Sequence, residues 1–448
     1  MNKKYEIDMT NGAIMPKLVG FFLPLMTSSI LQLLFNAVDL IVVGNFAGSD
    51  PLAAVGATTS LINMVTAVFV GVSLGANVIT ARFFACDDRQ NMDEAVHTAI
   101  SIALIFGVVL AFAGIIFARP ALRLMDTPEN VIDMSALYMM IYFCGMPFFM
   151  VYNYSAAILR AVGDTKRPLY FLIIAGVMNA VLNMVMVIVF SMGVAGVAIA
   201  TVFSQLVSSL LTVSCLVKTD SSYKLNPSRL RINVKILRQM LSIGLPAGIQ
   251  SMVINFSNVQ LQSSVNSFGS VAMAGYTAAN SVLGFLYMSI NSVTQACMSF
   301  TSQNFGVAKY DRMRRVLLDC LALECMVGVC LGGLAYIFGP QILAFYTDSE
   351  EVVASGMQVL SITTWTYFLC GIMDCLPGHL RGMGHSGIPM ILSVIGTVGT
   401  RIVWIYGLFP YNRSIDFLFI SYPASWIITI VLQLICMNFV YHGIRKKM

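Results

Sequence analysis

The 448 residues are 58% hydrophobic and only 10% charged, whereas an ordinary soluble domain carries about 25% charged residues. A soluble chain of this length would need many more charged side chains to cover its surface, so the composition indicates a protein that lies mainly in lipid. The net charge of +5 comes from basic residues scattered through short connecting segments, which argues against nucleic acid as a partner. The ten cysteines form no CxxC motif, and we predict neither a disulfide framework nor a Cys/His metal site.

Apolar segments of about 20 residues, the length that crosses a bilayer, recur along the whole chain. They predict an all-α polytopic membrane protein with twelve transmembrane helices. The predicted spans are 17–44, 52–81, 95–118, 131–157, 168–191, 194–217, 239–267, 272–300, 316–339, 352–378, 388–410 and 415–440. The second and eighth spans are rich in Gly, Ser, Thr and Asn, so their apolar signal is the least pronounced.

The basic residues fall mainly on one side of these spans, which sets the orientation. If the N-terminus is cytoplasmic, most Lys and Arg residues lie in cytoplasmic segments, including Lys3, Lys4, Lys446 and Lys447. The exceptions are Arg119, Arg123 and Arg413 outside, and Arg401 within a span. We therefore expect a multi-pass protein of the cell membrane with both termini in the cytoplasm.

An internal repeat relates the two halves of the chain. The segment LRAVGDTKRP at 159–168 resembles LRGMGHSGIP at 380–389, at a shift of 221 residues. Six spans per half is an even number, so both halves enter the membrane from the same side, and we predict two parallel six-helix bundles. The expected domains are an N-terminal lobe at 1–217, a cytoplasmic linker at 218–238 and a C-terminal lobe at 239–448. Such repeats are typical of transporters whose substrate path lies between the lobes.

Asp39 is the first candidate for chemistry, because a carboxylate inside a membrane span costs at least roughly 2.5 kcal/mol to bury. It has no basic neighbour in the sequence, and it can bind a proton or, with other oxygen ligands, Na⁺. Asn179 and Asn183 lie four residues apart on one face of the fifth helix, and Thr201 lies on the sixth. These residues are the predicted ion-coupling site. The alternative is that they only hold helices together by hydrogen bonds.

Asp374 in the tenth span and its repeat mate Asn153 are second candidates for contact with a substrate or ion. A local capping role at the cytoplasmic end is the alternative for Asp374. The residues opposite Asp39 in the second half include Gln260 and Gln262, so this half has no carboxylate twin.

Three further charged residues have an expected structural role, and a fourth has no assigned role. Arg401 is expected to snorkel toward the membrane surface, and Arg160 and Arg381 to order the loops that they begin. Glu324 in the ninth span has no assigned partner.

The chain resembles the multidrug and toxic compound extrusion (MATE) family over nearly its whole length. The resemblance rests on QLLFNAVDLIVVGNFAGSDPLAAVG in the first two spans, on the pair LRAVGDTKRP and LRGMGHSGIP, and on TSQNFGVAKYDRM after the eighth span. It implies a two-lobed exporter of the prokaryotic branch that expels organic cations and other amphipathic compounds in exchange for H⁺ or Na⁺. It also implies that the ion ligands are Asp39, Asn179, Asn183 and Thr201, with the carbonyl of Ala198 nearby.

The sequence departs from the family pattern at two places. Some members have a further carboxylate on the seventh helix, where Gln260 and Gln262 stand here. Others have an acid on the fifth helix, at the position of Asn183. A mechanism that requires those acids is not expected for this chain.

We predict a secondary-active antiporter, coupled through Asp39, that acts as a monomer on small amphipathic or cationic molecules in the lipid bilayer, without a cofactor. A lipid or lipid-linked oligosaccharide flippase of the same superfamily is the alternative. Such proteins need cationic side chains for phosphates, and Arg401 alone is clearly intramembrane. A passive scaffold or channel would show no dependence on an ion gradient. An enzyme is not expected, because the histidines lie at span ends and no HExxH motif occurs.

Overall fold

A computed structural model describes residues 5–125, 127–347 and 349–445, without the side chains of Ser49 and Arg445. Four lysines that were predicted to lie on the cytoplasmic side, Lys3, Lys4, Lys446 and Lys447, are outside the described residues. The described part of the chain is almost entirely helical and contains no strand.

Twelve long helical segments follow one another through the described residues, as the sequence predicts. Their bounds are α1 Ile14–Phe46, α2 Ser49–Ala85, α3 Arg89–Leu124, α4 Glu129–Cys144 with Met146–Ala161, α5 Lys166–Val189, α6 Gly193–Lys218, α7 Val234–Asn266, α8 Ser270–Gly306, α9 Tyr310–Ile337, α10 Glu350–Gly382, α11 Gly387–Tyr411 and α12 Ile415–Arg445. Several run well beyond the predicted spans. Helix α3, for example, has 36 residues, because its ends continue as helix past the apolar stretch that defined the span.

Ten of these helices are long and apolar enough to cross a membrane, and α4 makes eleven when its two halves count as one span. Helix α8 is also long, at 37 residues. It is less apolar than the others because polar residues such as Asn280, Asn291 and Gln295 interrupt its sequence. This is the eighth span, whose apolar signal was already the least pronounced in the sequence.

Helix α4 is bent by 48° between its two halves. The break falls at Gly145, and Pro147 follows in the first turn of the second half. Proline lacks a backbone N–H and clashes with the preceding helical turn, which explains a sharp bend here. The equivalent positions in the second half of the chain, Thr366 and Phe368, leave α10 continuous.

The described chain forms two compact units. Within the described residues, unit 1 contains the chain up to Asp8 and Leu23–Gly248, and unit 2 contains Met9–Phe22 and the chain from Ile249 onward. In unit 1 the bent helix α4 packs against α2, α3 and α6, and α5 packs against α6. In unit 2 helix α10 packs against α8, α9 and α12, and α11 packs against α12. The two units therefore have corresponding internal packing, each built around its fourth helix.

Backbone conformation repeats at the same shift of 221 residues as the sequence. Gly163 and Gly384 each follow the Leu-Arg of the repeated motif, and both have a left-handed φ, of 93° and 86°. Asp87 and Ala308 also share a positive φ, of 50° and 55°, in the turns after α2 and α8. Positive φ is uncommon for residues other than glycine. Matching occurrences at one offset confirm that the two halves share one architecture.

Small residues bring α2 and the first half of α7 into close contact within unit 1. Gly71 and Gly75 on α2 face Gly244 and Gly248 on α7, and a Cβ atom at any of the four would overlap the opposing backbone. Glycines four residues apart allow membrane helices to approach at backbone distance. This contact explains why the first half of α7 belongs to unit 1.

Candidate functional site

Helices α1 and α5 come close together next to Asp39. A Cβ atom on Gly176 of α5 would overlap the ring of Phe35 on α1, so this approach depends on a glycine. Phe35 and Asp39 are four residues apart and share one face of α1. On α5, Asn179 and Asn183 follow Gly176 by three and seven residues and share its face. The close approach therefore places both amides beside the carboxylate.

The predicted ion ligands form one hydrogen-bonded chain across α1, α5 and α6. The Asn183 Nδ2 donates to Oδ1 of Asp39 and to Oδ1 of Asn179 at 3.3 Å. The Asn179 Nδ2 donates to Oγ1 of Thr201 at 3.4 Å, and the Thr201 hydroxyl lies near the Asp39 carboxylate while it donates to the carbonyl of Val197 at 2.9 Å. Ala198 is fully buried on α6, one turn before Thr201. The structure thus brings together the residues that the sequence placed on three separate helices.

The Asp39 carboxylate is buried without a cationic partner. It is 8% exposed, and none of the ion pairs among the described residues includes it. Asn183 is fully buried, and its Oδ1 accepts no hydrogen bond. A buried charge and a buried oxygen without a donor are both unfavourable. A proton or a small metal cation would relieve the unneutralised charge, and a cation would also provide the free oxygen with a partner.

The turn from α5 to α6 determines which residues face each other. Helix α5 ends in a π-helical turn, Val185–Val189, directly after the residues that contact Asp39. The chain then reverses through Ser191 and Gly193, whose φ angles are 51° and 54°. Turns of π-helix are rare and occur frequently at functional sites. This turn returns the chain so that Thr201 lies opposite the asparagines of α5.

Three residues near the site were missed by the sequence analysis. The hydroxyl groups of Tyr138 and Tyr142 on α4 lie within electrostatic range of Asp39, and their rings stack with centroids 6.0 Å apart. Gln205 on α6 lies close to the Tyr142 hydroxyl, and its buried Oε1 accepts no hydrogen bond. The available signal was spacing, since Gln205 follows Thr201 by four residues and the two tyrosines are also four apart.

Asp374, the second candidate, lies in unit 2 and has its own set of partners. The Tyr287 hydroxyl and the charge of Arg381 both lie close to its carboxylate. Arg381 is held in turn by Gln250, whose Oε1 accepts from Nη2 at 2.6 Å. Asp374 is therefore compensated by a nearby guanidinium, whereas Asp39 is not.

The side-chain hydrogen bonds of Asn153 and Gln262 in the described part of the chain lie within their own helices. Asn153 donates to the carbonyl of Phe149 at 2.8 Å on α4. Gln262 donates to Asn266 at 3.2 Å on α7, and Gln260 is partly buried on the same helix. The structure does not bring Asn153 into the Asp39 chain of hydrogen bonds.

Two further charged residues, Glu324 and Arg401, are buried in unit 2. Glu324 is fully buried and accepts from the Thr294 hydroxyl at 3.2 Å. Gly371 leaves room for it, because a Cβ there would lie 2.5 Å from Oε2. Arg401 is 3% exposed and donates from Nη1 to Oδ1 of Asn258 at 2.8 Å. The prediction that Arg401 snorkels is wrong, since its guanidinium bonds to α7 instead of reaching the surface.

Comparisons with known proteins agree with this architecture. A family model described as MatE matches the chain twice, at residues 24–185 and 246–406, which also confirms the internal repeat. The probable multidrug resistance protein YoeA of Bacillus subtilis is 30% identical over 420 residues, which cover 92% of this chain and 91% of YoeA. The probable multidrug resistance protein NorM of Thermotoga maritima is 22% identical over 394 residues, 87% of this chain and 84% of NorM.

Solved structures share the fold over the full length. One structure, described as the outward-facing conformation of a multidrug resistance MATE family transporter of the MOP superfamily, has a TM-score of 0.91 at 20% identity and covers 100% of both chains. Another, of MATE in the bent conformation, has a TM-score of 0.87 at 21% identity and covers 98% of this chain and 96% of its own. With two family matches, a 30% identical relative and twelve helices in two six-helix lobes, this chain belongs to the MATE family, whose members are multi-pass membrane transporters and not enzymes.

Proposed function

We propose that this transporter is a secondary-active antiporter that exports organic cations or amphipathic drug-like compounds in exchange for H⁺ or Na⁺ bound at Asp39. The observation that carries the proposal is the buried Asp39 carboxylate, which has an amide donor in Asn183 but no cationic partner among the described residues. The naming of its relatives as multidrug resistance proteins supports the class of substrate.

Antiport requires that the affinity for the coupling ion differ between two conformations. Hydrogen bonds from Asn183 to Asp39 and from Asn179 to Thr201 connect α1, α5 and α6. Protonation would remove the negative charge that the Asn183 donor faces. Na⁺ would instead be held by the carboxylate, the side-chain oxygens of Asn179 and Asn183, and the Thr201 hydroxyl. Either event changes the hydrogen bonds across three helices, so ion binding can alter their packing.

The proposal is tested by ethidium efflux from proteoliposomes in which proton and sodium gradients are imposed separately. Asp39→Asn should abolish gradient-driven efflux, because the amide can neither take up a proton nor supply a charge for Na⁺. Asp311→Asn is the matched control, since Asp311 is exposed in the first turn of α9. Gradient-driven efflux by Asp39→Asn at the rate of the unmodified protein would rule out coupling through this residue. The gradient that drives transport identifies the ion.

We also propose that the protein lies in the cell membrane as a monomer with both termini in the cytoplasm. The support is the distribution of Lys and Arg residues, of which Arg119, Arg123 and Arg413 are the exceptions in outside segments. A C-terminal fusion to green fluorescent protein should fluoresce, whereas a C-terminal alkaline phosphatase fusion should be inactive. The reverse pattern would contradict the orientation, and light scattering of the purified protein measures its oligomeric state.

A further inference from the structure

An open groove lies between four helices at one end of unit 2. Its volume is about 700 Å³, which is within the range of roughly 300–1,000 Å³ for small-molecule sites. The walls come from the end of α8, the start of α9, the start of α11 and the end of α12. The lining is mainly apolar and includes Phe305, Ile388, Leu432 and Phe439. The groove is therefore suited to an apolar ligand.

The groove is open along the outside of the helices over a length comparable to one leaflet of a bilayer. Ile388, Ile435 and Phe439 are 62%, 51% and 73% exposed at its edges. On α12 the lining runs from Leu432 to Ile444, a rise of roughly 18 Å at about 1.5 Å per residue. The hydrocarbon core of a membrane is about 30 Å thick. In a membrane protein, an acyl chain from one leaflet can reach the whole groove.

The corresponding place in unit 1 is filled by a side chain of the protein itself. Three residues that line the groove have mates in unit 1 at the shift of 221 residues, and the pairs are Phe305 with Phe84, Ile388 with Arg167, and Cys436 with Cys215. Tyr223, which is 1% exposed, lies among these mates. Its ring centroid is 6.3 Å from that of Phe84, and its hydroxyl accepts from Nη2 of Arg167 at 3.3 Å.

The two units differ here because the chain runs differently after the sixth helix of each. Helix α6 ends at Lys218, and the chain then folds back so that the N–H of Leu225 donates to the carbonyl of Leu216 at 3.0 Å. This reversal brings Tyr223 into its buried position. In unit 2, α12 continues as a helix through the corresponding residues to Arg445. The described part of unit 2 therefore has no equivalent of Tyr223 in the groove.

A cationic side chain lies beside the groove. The guanidinium carbon of Arg314 on α9 is 4.8 Å from the ring centroid of Tyr441. Arg314 follows Tyr310, which lines the groove, by four residues and so shares its face of α9. His379 positions Tyr441, because its Nε2 lies 2.8 Å from the tyrosine hydroxyl. Arg314 is exposed, and it belongs to none of the ion pairs among the described residues.

The combination of apolar walls and a guanidinium favours an anionic phospholipid over other ligands. Arginine binds phosphate through two parallel hydrogen bonds. A cationic compound would be repelled by Arg314, and a small soluble anion would make no use of the apolar walls. The groove lies at the end of unit 2 that we propose to be cytoplasmic, and anionic lipids of the cytoplasmic leaflet are attracted to basic segments at the membrane surface.

We propose that this groove binds an acyl chain of an anionic phospholipid whose phosphate pairs with Arg314. The lipid takes the place in unit 2 that Tyr223 takes in unit 1, and it supports the packing of α11 against α12. This inference goes beyond the proposed antiport, since it depends neither on the exported compound nor on the coupling ion.

The first test concerns the phosphate. Phosphatidylglycerol or phosphatidylcholine with identical acyl chains is added to the delipidated protein in detergent, and bound lipid is measured by native mass spectrometry. The unmodified protein should bind phosphatidylglycerol about tenfold more tightly, the effect of one charge-assisted interaction. Arg314→Gln should remove this preference and leave phosphatidylcholine binding within about twofold. Arg315→Gln is the matched control, because it removes the same charge from the next residue, which lines a separate depression beside Gly12 and Asp319.

The second test fills the groove, as Tyr223 does in unit 1. Gly443 lines the groove, and a Cβ atom there would meet nothing within 4 Å, so Gly443→Phe can place a ring in it without displacing the backbone. This variant should weaken binding of both lipids about tenfold, since the ring displaces several methylene groups. Gly333→Phe is the matched control, because Gly333 is equally unobstructed but lies elsewhere on α9. If Gly443→Phe cannot be purified, Ile435→Trp takes its place, with the same expected loss.

Circular dichroism at 222 nm verifies that each variant is folded. A preference for phosphatidylglycerol that survives Arg314→Gln would overturn the proposal, as would an equal loss of that preference in Arg315→Gln. Unchanged lipid binding by folded Gly443→Phe would also overturn it. If that variant lost ethidium binding while it kept its lipid, the groove would be a site for a transported compound, and the proposal would be wrong.

Discussion

The close approach of α1 and α5 at Gly176 gives a direct test of how the Asp39 site is positioned. An alanine Cβ at this position would overlap the ring of Phe35, one helical turn from Asp39. Overpacking of this kind costs about 1–3 kcal/mol, and the large overlap places Gly176→Ala near the upper end. Alanine recovers about 1 kcal/mol of helix propensity. The net loss is therefore about 2 kcal/mol.

Gly56 on α2 provides the matched control, because a Cβ there would meet nothing within 4 Å. Gly56→Ala should gain the helix propensity alone, so the two variants should differ by about 3 kcal/mol. At about 2–4 °C per kcal/mol for a unit of 150–250 residues, the apparent unfolding temperatures should differ by about 6–12 °C. Circular dichroism at 222 nm in detergent measures this difference.

Gly176→Ala should also lower gradient-driven ethidium efflux, since it moves α5 and its asparagines away from Asp39. Gly56→Ala should transport normally. Equal unfolding temperatures for the two variants would refute the argument that this glycine is required for packing. A destabilised Gly176→Ala that transports at the full rate would instead show that the site tolerates displacement of α5.

Three further predictions follow from other contacts. If Na⁺ drives efflux, Asn179→Ala should raise the half-saturating Na⁺ concentration, because Na⁺ needs the amide oxygen as a ligand. If H⁺ drives efflux, the same variant should leave the dependence on pH unchanged. Efflux measured at varied Na⁺ concentration and pH distinguishes the two. Gly75→Leu should greatly reduce the yield of folded protein, measured by size-exclusion chromatography, because its side chain would displace the backbone of α7. Asp88→Ala should cost about 0.5–2 kcal/mol by removing the cap of α3. Hydrogen bonds from Asn91 hold the pKa of Asp88 below its usual value. The stability that the charged cap contributes is therefore present near neutral pH and is lost as pH falls through that lowered pKa. Unfolding at pH 7 and pH 3 measures this loss of stability, and Asp88→Asn should show less pH dependence.

Much of the helical architecture was predictable, because lipid requires long apolar helices and leaves few alternatives. Because α4 is bent at Gly145 and α8 is rich in polar residues, neither is among the ten single helices that are long and apolar enough to cross a membrane. The described chain nevertheless contains twelve long helical segments. The lengths were underestimated, since helices such as α3 continue beyond the apolar stretch where hydropathy gives no signal.

The site was predictable to the extent that its residues are rare in membrane helices. A carboxylate such as Asp39 and two asparagines four residues apart stand out from an apolar background. Tyr138 and Tyr142 do not, because tyrosines are common in this chain. Arg401 was misread because a single sequence does not show which helix a side chain faces, and its partner Asn258 lies 143 residues earlier.

The glycine contact between α2 and α7 has a consequence for dividing the gene. Because the first half of α7 belongs to unit 1, the loop before Val234 is a poor point at which to separate the halves, although the repeat begins anew there. A fragment that ends before α7 would expose the glycine face of α2 and lose its partner helix. If two such fragments are co-expressed, transport should be restored only when the first half of α7, in the second fragment, packs against α2 of the first fragment. The four glycines would then form the contact between the fragments.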